Sequence, residues 1–124
     1  MHTVLVVEHE PSISELWTRT LQEAGYRVVT AADSAEVVQR LADGNPTVAI
    51  CDVHLSWAGG LRVLELIRQH CRTTAIILAL TDDVLPPFDA LRPSIVGYLL
   101  KPIGRDELLE AVAGAIAWST RHRK

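Results

Sequence analysis

VAICD, residues 48–52, is an apolar run that ends on a carboxylate, Asp52. A short, continuous apolar run between polar residues is typical of a strand that is buried on both faces of a sheet. The residues that follow include Gly59 and Gly60, which we expect to open a helix. A carboxylate at the C-terminal end of a buried strand lies where open α/β sheets bind ligands. Asp52 is therefore a candidate nucleophile or metal ligand.

Polar residues also follow three other apolar runs. The runs are TVLVV at 3–7, AIILAL at 75–80 and VGYLL at 96–100, and they lead into Glu8, Thr81 and Lys101. Right-handed crossovers bring the C-terminal ends of all parallel strands to one edge of a sheet. We therefore expect Glu8, Asp52, Thr81 and Lys101 to converge although they are far apart in the sequence.

Apolar runs alternate with segments of helical period in five repeats along the chain. This pattern predicts a parallel sheet built from βαβ units, and hence an α/β fold. It weakens between residues 81 and 96, where prolines at 86, 87 and 93 restrict a helix to about residues 88–92 or leave a tight turn instead. The 124 residues suffice for one domain, which we place at 1–119, followed by a basic tail at 120–124.

Composition excludes several classes of function. The chain is 48% apolar with a formal charge of −3, so no direct nucleic-acid partner is expected. No apolar stretch approaches the roughly 20 residues of a membrane span, so no membrane partner is expected either. Cys51 and Cys71 lack the spacing of a metal or redox pair, which indicates a reduced, cytoplasmic protein.

The side chains of the four strand-end residues suit one type of reaction. Paired carboxylates hold a hard divalent cation such as Mg²⁺, while a hydroxyl and an ammonium bind phosphoryl oxygens. A carboxylate placed between them can attack phosphorus and form an acyl phosphate. The pattern therefore indicates phosphoryl transfer.

With these motifs the chain resembles, over essentially its whole length, the receiver domain of bacterial two-component response regulators, of the chemotaxis-regulator type. The strings that carry the resemblance are VVEHEP at 6–11, DVHL at 52–55, Gly59-Gly60, Thr81, and GYLLKP at 97–102. The resemblance implies a flavodoxin-like, doubly wound sheet of five parallel strands in the order 2-1-3-4-5, with helices on both faces. It also implies a phosphoprotein of phosphorelay signal transduction.

The resemblance assigns a role to each residue of the site. Asp52 would accept phosphate from a histidine kinase, a phosphotransfer protein or a small phosphodonor. Glu8, Asp52 and the backbone carbonyl of His54 would hold Mg²⁺. Thr81 and Lys101 would contact the phosphoryl group, and the only catalysis would be of the domain's own phosphorylation and dephosphorylation.

The switch and the partners follow from the same resemblance. Tyr98 would be the aromatic residue that changes rotamer together with Thr81, although a static, half-buried tyrosine is an equal alternative. The Lys101-Pro102 bond would be cis. The partners would be a downstream effector protein and, in the family's nomenclature, a second copy across the α4–β5–α5 face.

His9 departs from the family pattern, because receivers place two adjacent acids after the first strand. Imidazole is a poor partner for Mg²⁺, so we expect weaker metal binding or a shift in preference, for example to Mn²⁺. His9 is either a neutral, hydrogen-bonded surface histidine or a metal ligand and pH-dependent cation. Asp82, next to Thr81, either repels a phosphodonor, restores the missing carboxylate or caps a turn.

Rival functions fit the sequence less well. A haloacid-dehalogenase-like phosphatase needs a second acid where the chain has His54, and an FMN carrier needs a phosphate loop where Glu8 and Glu10 repel phosphate. The alternative with more support is a pseudo-receiver, a protein-binding module that works without phosphorylation. His9 and Asp82 favour it, whereas Asp52, Thr81 and Lys101 oppose it.

Overall fold

Five parallel strands form one sheet in the order β2-β1-β3-β4-β5. The computed structural model of the chain describes residues 1–52, 57–81 and 94–122, except for the side chains of residues 57–61. The strands are β1 (Thr3–Val7), β2 (Arg27–Ala31), β3 (Val48–Asp52), β4 (Ala75–Leu80) and β5 (Ile95–Leu100). The predicted flavodoxin-like fold and strand order are confirmed.

Within the described residues, three helices connect strands and a fourth follows the last strand. They are α1 (Pro11–Glu23), α2 (Ser34–Asp43), α3 (Trp57–His70) and α4 (Arg105–Arg121). The short helix predicted at about residues 88–92 lies outside the described residues. None of the described helices is long and apolar enough to cross a membrane.

Alternation along the strands divides the core into two clusters. Leu5 and Val7 of β1 face α2 and α3, and they belong to one buried apolar cluster. Val4 and Val6 belong to the other cluster, with residues of α1 and α4. Because successive strand residues point to opposite faces, strands this apolar must be covered by helices on both sides. The two clusters cover both faces of the sheet, and its edges are left to carry polar side chains.

Local signals explain most helix boundaries. Pro11 lies in the first turn of α1, where its missing N–H costs nothing, and Gly25, with a φ of 97°, follows the helix. Asp33 caps α2, since its carboxylate accepts a hydrogen bond from the Glu36 N–H at 2.9 Å.

One predicted boundary is wrong, because α3 begins at Trp57, two residues before Gly59. A glycine costs only about 1 kcal/mol inside a helix. Burial of Leu64 and Ile67 farther along α3 outweighs that cost.

Candidate functional site at the carboxyl edge of the sheet

The register of the sheet explains why the four strand-end residues meet. Val7 is paired with Cys51, so the next residues along, Glu8 and Asp52, lie side by side. Leu80 is paired with Leu100, which sets Thr81 level with Lys101 on neighbouring strands. The Lys101 N–H also donates to the Leu80 carbonyl at 2.7 Å, so the pairing continues one residue beyond β5.

Lys101 bridges the two carboxylates. Its Nζ lies 2.8 Å from Glu8 Oε2 and 3.2 Å from Asp52 Oδ1. Both carboxylate side chains are fully buried, while 12% of the lysine side chain is exposed. A buried charge is tolerated only when it is paired and hydrogen-bonded, so the ammonium is what allows both acids to lie here.

The pKa values reflect this balance between burial and charge. Burial raises the pKa of the Glu8 carboxyl, and the neighbouring Asp52 adds to that rise, although the hydrogen bond from Lys101 opposes it. Burial on its own would lower the pKa of Lys101, but the bond to Glu8 and the charge of Asp52 outweigh it and raise the pKa. Lys101 is therefore firmly held as a cation.

His9 contacts the opposite side of the two acids. Its Nδ1 lies 2.7 Å from Asp52 Oδ2 and 3.3 Å from Glu8 Oε1, and 42% of its side chain is exposed. The predicted surface histidine is therefore half-exposed and hydrogen-bonded to the predicted phosphoacceptor itself. The sequence offered a metal ligand as the other alternative for His9, but it did not specify this contact with Asp52.

Three side chains here offer ligand atoms for a cation. One atom each from Glu8, His9 and Asp52 lie within 4.8 Å of one another. Lys101 occupies Glu8 Oε2 and Asp52 Oδ1, so Glu8 Oε1 and Asp52 Oδ2 are the oxygens that face the imidazole. Two carboxylate oxygens and a nitrogen are a donor set that fits a divalent cation.

Trp17 is a neighbour of the site that no sequence motif indicates. It is buried on α1, and Lys101 Nζ lies 5.7 Å from the centroid of its ring. An ammonium at this distance over an indole face is stabilised by the ring quadrupole. No pattern in the sequence links this tryptophan to a lysine so far away along the chain.

Three further predictions concern Thr81, Tyr98 and the bond between Lys101 and Pro102. Thr81 directly follows β4 at the same edge and is exposed, and Tyr98 of β5 is 42% exposed. The predicted cis bond between Lys101 and Pro102 is present. His54 and Asp82 lie outside the described residues.

Comparison with known proteins identifies the family of the chain. A family model described as the response regulator receiver domain matches residues 4–113. The transcriptional regulatory protein KdpE of Mycobacterium tuberculosis is 32% identical over 120 residues, which are 97% of this chain and 53% of KdpE. The chain thus spans about half the length of this curated relative.

Solved structures show the same architecture. A CheY-like response regulator receiver domain protein from Methanospirillum hungatei superposes with a TM-score of 0.88 over 99% of both chains, at 20% identity. The response regulator TrrA from Thermotoga maritima, solved in complex with Mg²⁺-BeF, superposes with a TM-score of 0.78. It is 32% identical, and the match covers 93% of this chain and 99% of TrrA.

Proposed function

The chain belongs to the response regulator receiver domain family, and from that premise we propose that Asp52 is its phosphoacceptor. Receiver domains of two-component systems are signalling phosphoacceptors that interact with histidine kinases and downstream effectors. The observation that carries the proposal is the bridge from Lys101 to the buried Asp52 and Glu8. No contact among the described residues favours the pseudo-receiver alternative.

The chemistry is an in-line displacement at phosphorus. Asp52 Oδ1 attacks the phosphorus of the donor, the bond from phosphorus to the donor nitrogen or oxygen breaks, and an acyl phosphate forms. Lys101 Nζ lies 3.2 Å from Oδ1, so its positive charge is close to where the phosphoryl oxygens arrive. Thr81, level with Lys101 on the next strand, supplies a hydroxyl to the same group.

A divalent cation completes the proposed site. Glu8 and Asp52 would hold it with the backbone carbonyl of His54, and His9 is positioned to take part. When bound, the cation supplies charge that offsets the negative phosphoryl oxygens. The residues that are present fit such an ion, and the Mg²⁺-BeF complex of TrrA supports its proposed place in the chemistry.

Phosphorylation changes the charge at the edge of the sheet. It replaces the −1 charge of the carboxylate with about −1.5 to −2 on the phosphoryl group. The extra charge draws the Thr81 hydroxyl toward the phosphoryl group and makes room for Tyr98 to turn inward. Moving a two-state population from 1:99 to 99:1 requires about 5.5 kcal/mol of differential stabilisation. Several charge-assisted hydrogen bonds can supply that energy.

The proposed partners follow from the family. A histidine kinase or a phosphotransfer protein delivers the phosphoryl group, and an effector protein or a second copy reads the switch. The only catalysis proposed is of the domain's own phosphorylation and dephosphorylation. We place the protein in the cytoplasm, where its two thiols stay reduced, and treat residues 1–119 as the receiver.

Intact mass spectrometry tests the proposal. The protein is incubated with phosphoramidate or acetyl phosphate, with and without Mg²⁺ or Mn²⁺. We expect the gain of one phosphoryl group, and its loss in Asp52→Asn. Asp33→Asn, which changes an exposed helix cap, is the matched control and should label like the wild type. Equal labelling of Asp52→Asn, or no labelling of a folded wild type, would overturn the assignment.

A further inference from the structure

His9 has an imidazole where the family pattern has a carboxylate facing the proposed cation. His9 Nδ1, Asp52 Oδ2 and Glu8 Oε1 are the three atoms that face one another, at 2.7 and 3.3 Å from the nitrogen to the two oxygens. Donors at about 2.1 Å from one cation, in neighbouring octahedral positions, lie about 3.0 Å apart. The two distances from the nitrogen are thus close to those between ligands of a single ion.

The other oxygen of each carboxylate already binds Lys101. Glu8 Oε2 and Asp52 Oδ1 bind Lys101 Nζ at 2.8 and 3.2 Å. Glu8 Oε1 is in turn held in place by the Glu10 N–H at 3.2 Å. Contacts on both sides therefore fix the orientation of the acids, and their remaining oxygens point to the imidazole.

The donor type decides which cation this arrangement prefers. Mg²⁺ strongly favours oxygen ligands, whereas imidazole suits Co²⁺, Ni²⁺, Zn²⁺ and Cu²⁺. A neutral nitrogen in place of a carboxylate also removes one negative charge from the site. That loss weakens the binding of a hard cation such as Mg²⁺ most. Affinity for a mixed nitrogen and oxygen site rises from Mn²⁺ through Co²⁺ to Ni²⁺.

We propose that Glu8, His9 and Asp52 form a site selective for a first-row transition cation over Mg²⁺, with His9 as the residue that sets the preference. The inference rests on the proposed function for the place of the cation in the chemistry. Cation binding itself does not require phosphorylation, so the proposal on cation preference and the proposal on Asp52 can fail separately.

Co²⁺ binding to the unphosphorylated full chain tests the inference, because visible absorption reports nitrogen ligation and Mg²⁺ can be added as a competitor. Loss of an outer-shell partner alone costs roughly 10–100-fold in metal affinity, so loss of a direct ligand should cost at least about tenfold. We expect His9→Ala to weaken Co²⁺ binding by at least that factor. His70→Ala removes an exposed histidine outside the site and should change nothing.

His9→Asp provides the decisive comparison, since it restores two adjacent acids. We expect it to raise the Mg²⁺ affinity and lower the Co²⁺ affinity, so that the ratio of Co²⁺ to Mg²⁺ affinity falls. Near-UV circular dichroism and the urea midpoint of each variant show that it is folded. Unchanged Co²⁺ affinity and spectrum in His9→Ala, or the same ratio of Co²⁺ to Mg²⁺ affinity in the wild type and His9→Asp, would overturn the proposal. Phosphoramidate labelling of the same samples reports separately on Asp52.

Discussion

At the scale of single residues, Lys101 sets the charge balance of the site. Its ammonium is the cation placed between two fully buried carboxylates, and its pKa is raised by both of them. A group with a raised pKa contributes stability that is fully present below its ordinary pKa of 10.5 and is lost as pH rises through the folded value. At neutral pH the whole contribution of Lys101 is present.

Lys101→Met should therefore destabilise the protein at pH 7 by about 3 kcal/mol, because it leaves two buried acids without a compensating cation. Glu8 has a raised pKa in the folded state, so its charge opposes folding above that pKa and the penalty disappears as pH falls toward its ordinary value of 4.5. The difference in the free energy of unfolding between Lys101→Met and the wild type should therefore be smaller at pH 4.5 than at pH 7. Urea unfolding at pH 7 and pH 4.5 measures both values.

Arg105→Met is the matched control for Lys101→Met. Arg105 binds Glu23 at 2.9 Å, and both side chains are more than half exposed. An exposed pair contributes at most about 1 kcal/mol, so this loss should be small. Equal effects of the two substitutions at pH 7 would contradict the account of Lys101.

Sequence alone predicted which residues meet at the site but not how they contact each other. Glu8, Asp52 and Lys101 each follow an apolar strand, and topology brings strand ends together. The contact of His9 with Asp52 depends on a rotamer at the end of β1, and that of Trp17 with Lys101 depends on the packing of α1. Neither a rotamer nor a packing position leaves a signal in one sequence.

At the scale of elements, the first turn of α2 is stabilised by a reciprocal cap. Asp33 accepts from the Glu36 N–H at 2.9 Å, and the Glu36 carboxylate accepts from the Ala32 N–H at 2.6 Å. We expect Asp33→Ala to lower the free energy of unfolding by about 1 kcal/mol, measured by urea denaturation. Asp43→Ala, at the opposite end of α2, removes an acid from the negative end of the helix dipole and should be neutral or stabilising. A loss of stability in the second variant alone would contradict this account of α2.

Strands were easier to predict than helix boundaries. The apolar runs at 3–7, 48–52 and 75–80 correspond to β1, β3 and β4, because a strand buried on both faces must be apolar throughout. The start of α3 was misplaced, because Gly59 and Gly60 signal a turn locally, whereas packing of the later residues decides where the helix begins.

At the scale of the whole molecule, alternation of strands and helices determined the fold class. Five repeats, each too small to bury its own apolar face, form one sheet with helices on both sides. The strand order itself came from the family resemblance, since alternation alone allows several orders.

We propose that an exposed apolar face on β5 forms the contact between two copies of the chain. Tyr98 and Leu100 are 42% and 50% exposed and point to the same side of the strand. We expect phosphorylation to shift the protein toward a dimer in sedimentation velocity experiments. Leu100→Ala should weaken that dimer roughly tenfold or more, the equivalent of about 1.5–3 kcal/mol of lost apolar burial.

Leu16→Ala is the matched control for the dimer, because Leu16 is 54% exposed on α1, away from β5. It should dimerise like the wild type. A phosphorylated protein that sediments as a monomer, or equal weakening by both variants, would contradict a dimer through β5.

The central claim, that Asp52 carries the phosphoryl group, is tested most directly by locating the group chemically. After labelling with phosphoramidate, borohydride reduces an acyl phosphate to an alcohol, which converts a phosphorylated aspartate to homoserine. Peptide mapping by mass spectrometry then identifies the changed residue. We predict homoserine at position 52 and nowhere else. Label on His9 or another residue, with Asp52 unchanged, would contradict the account.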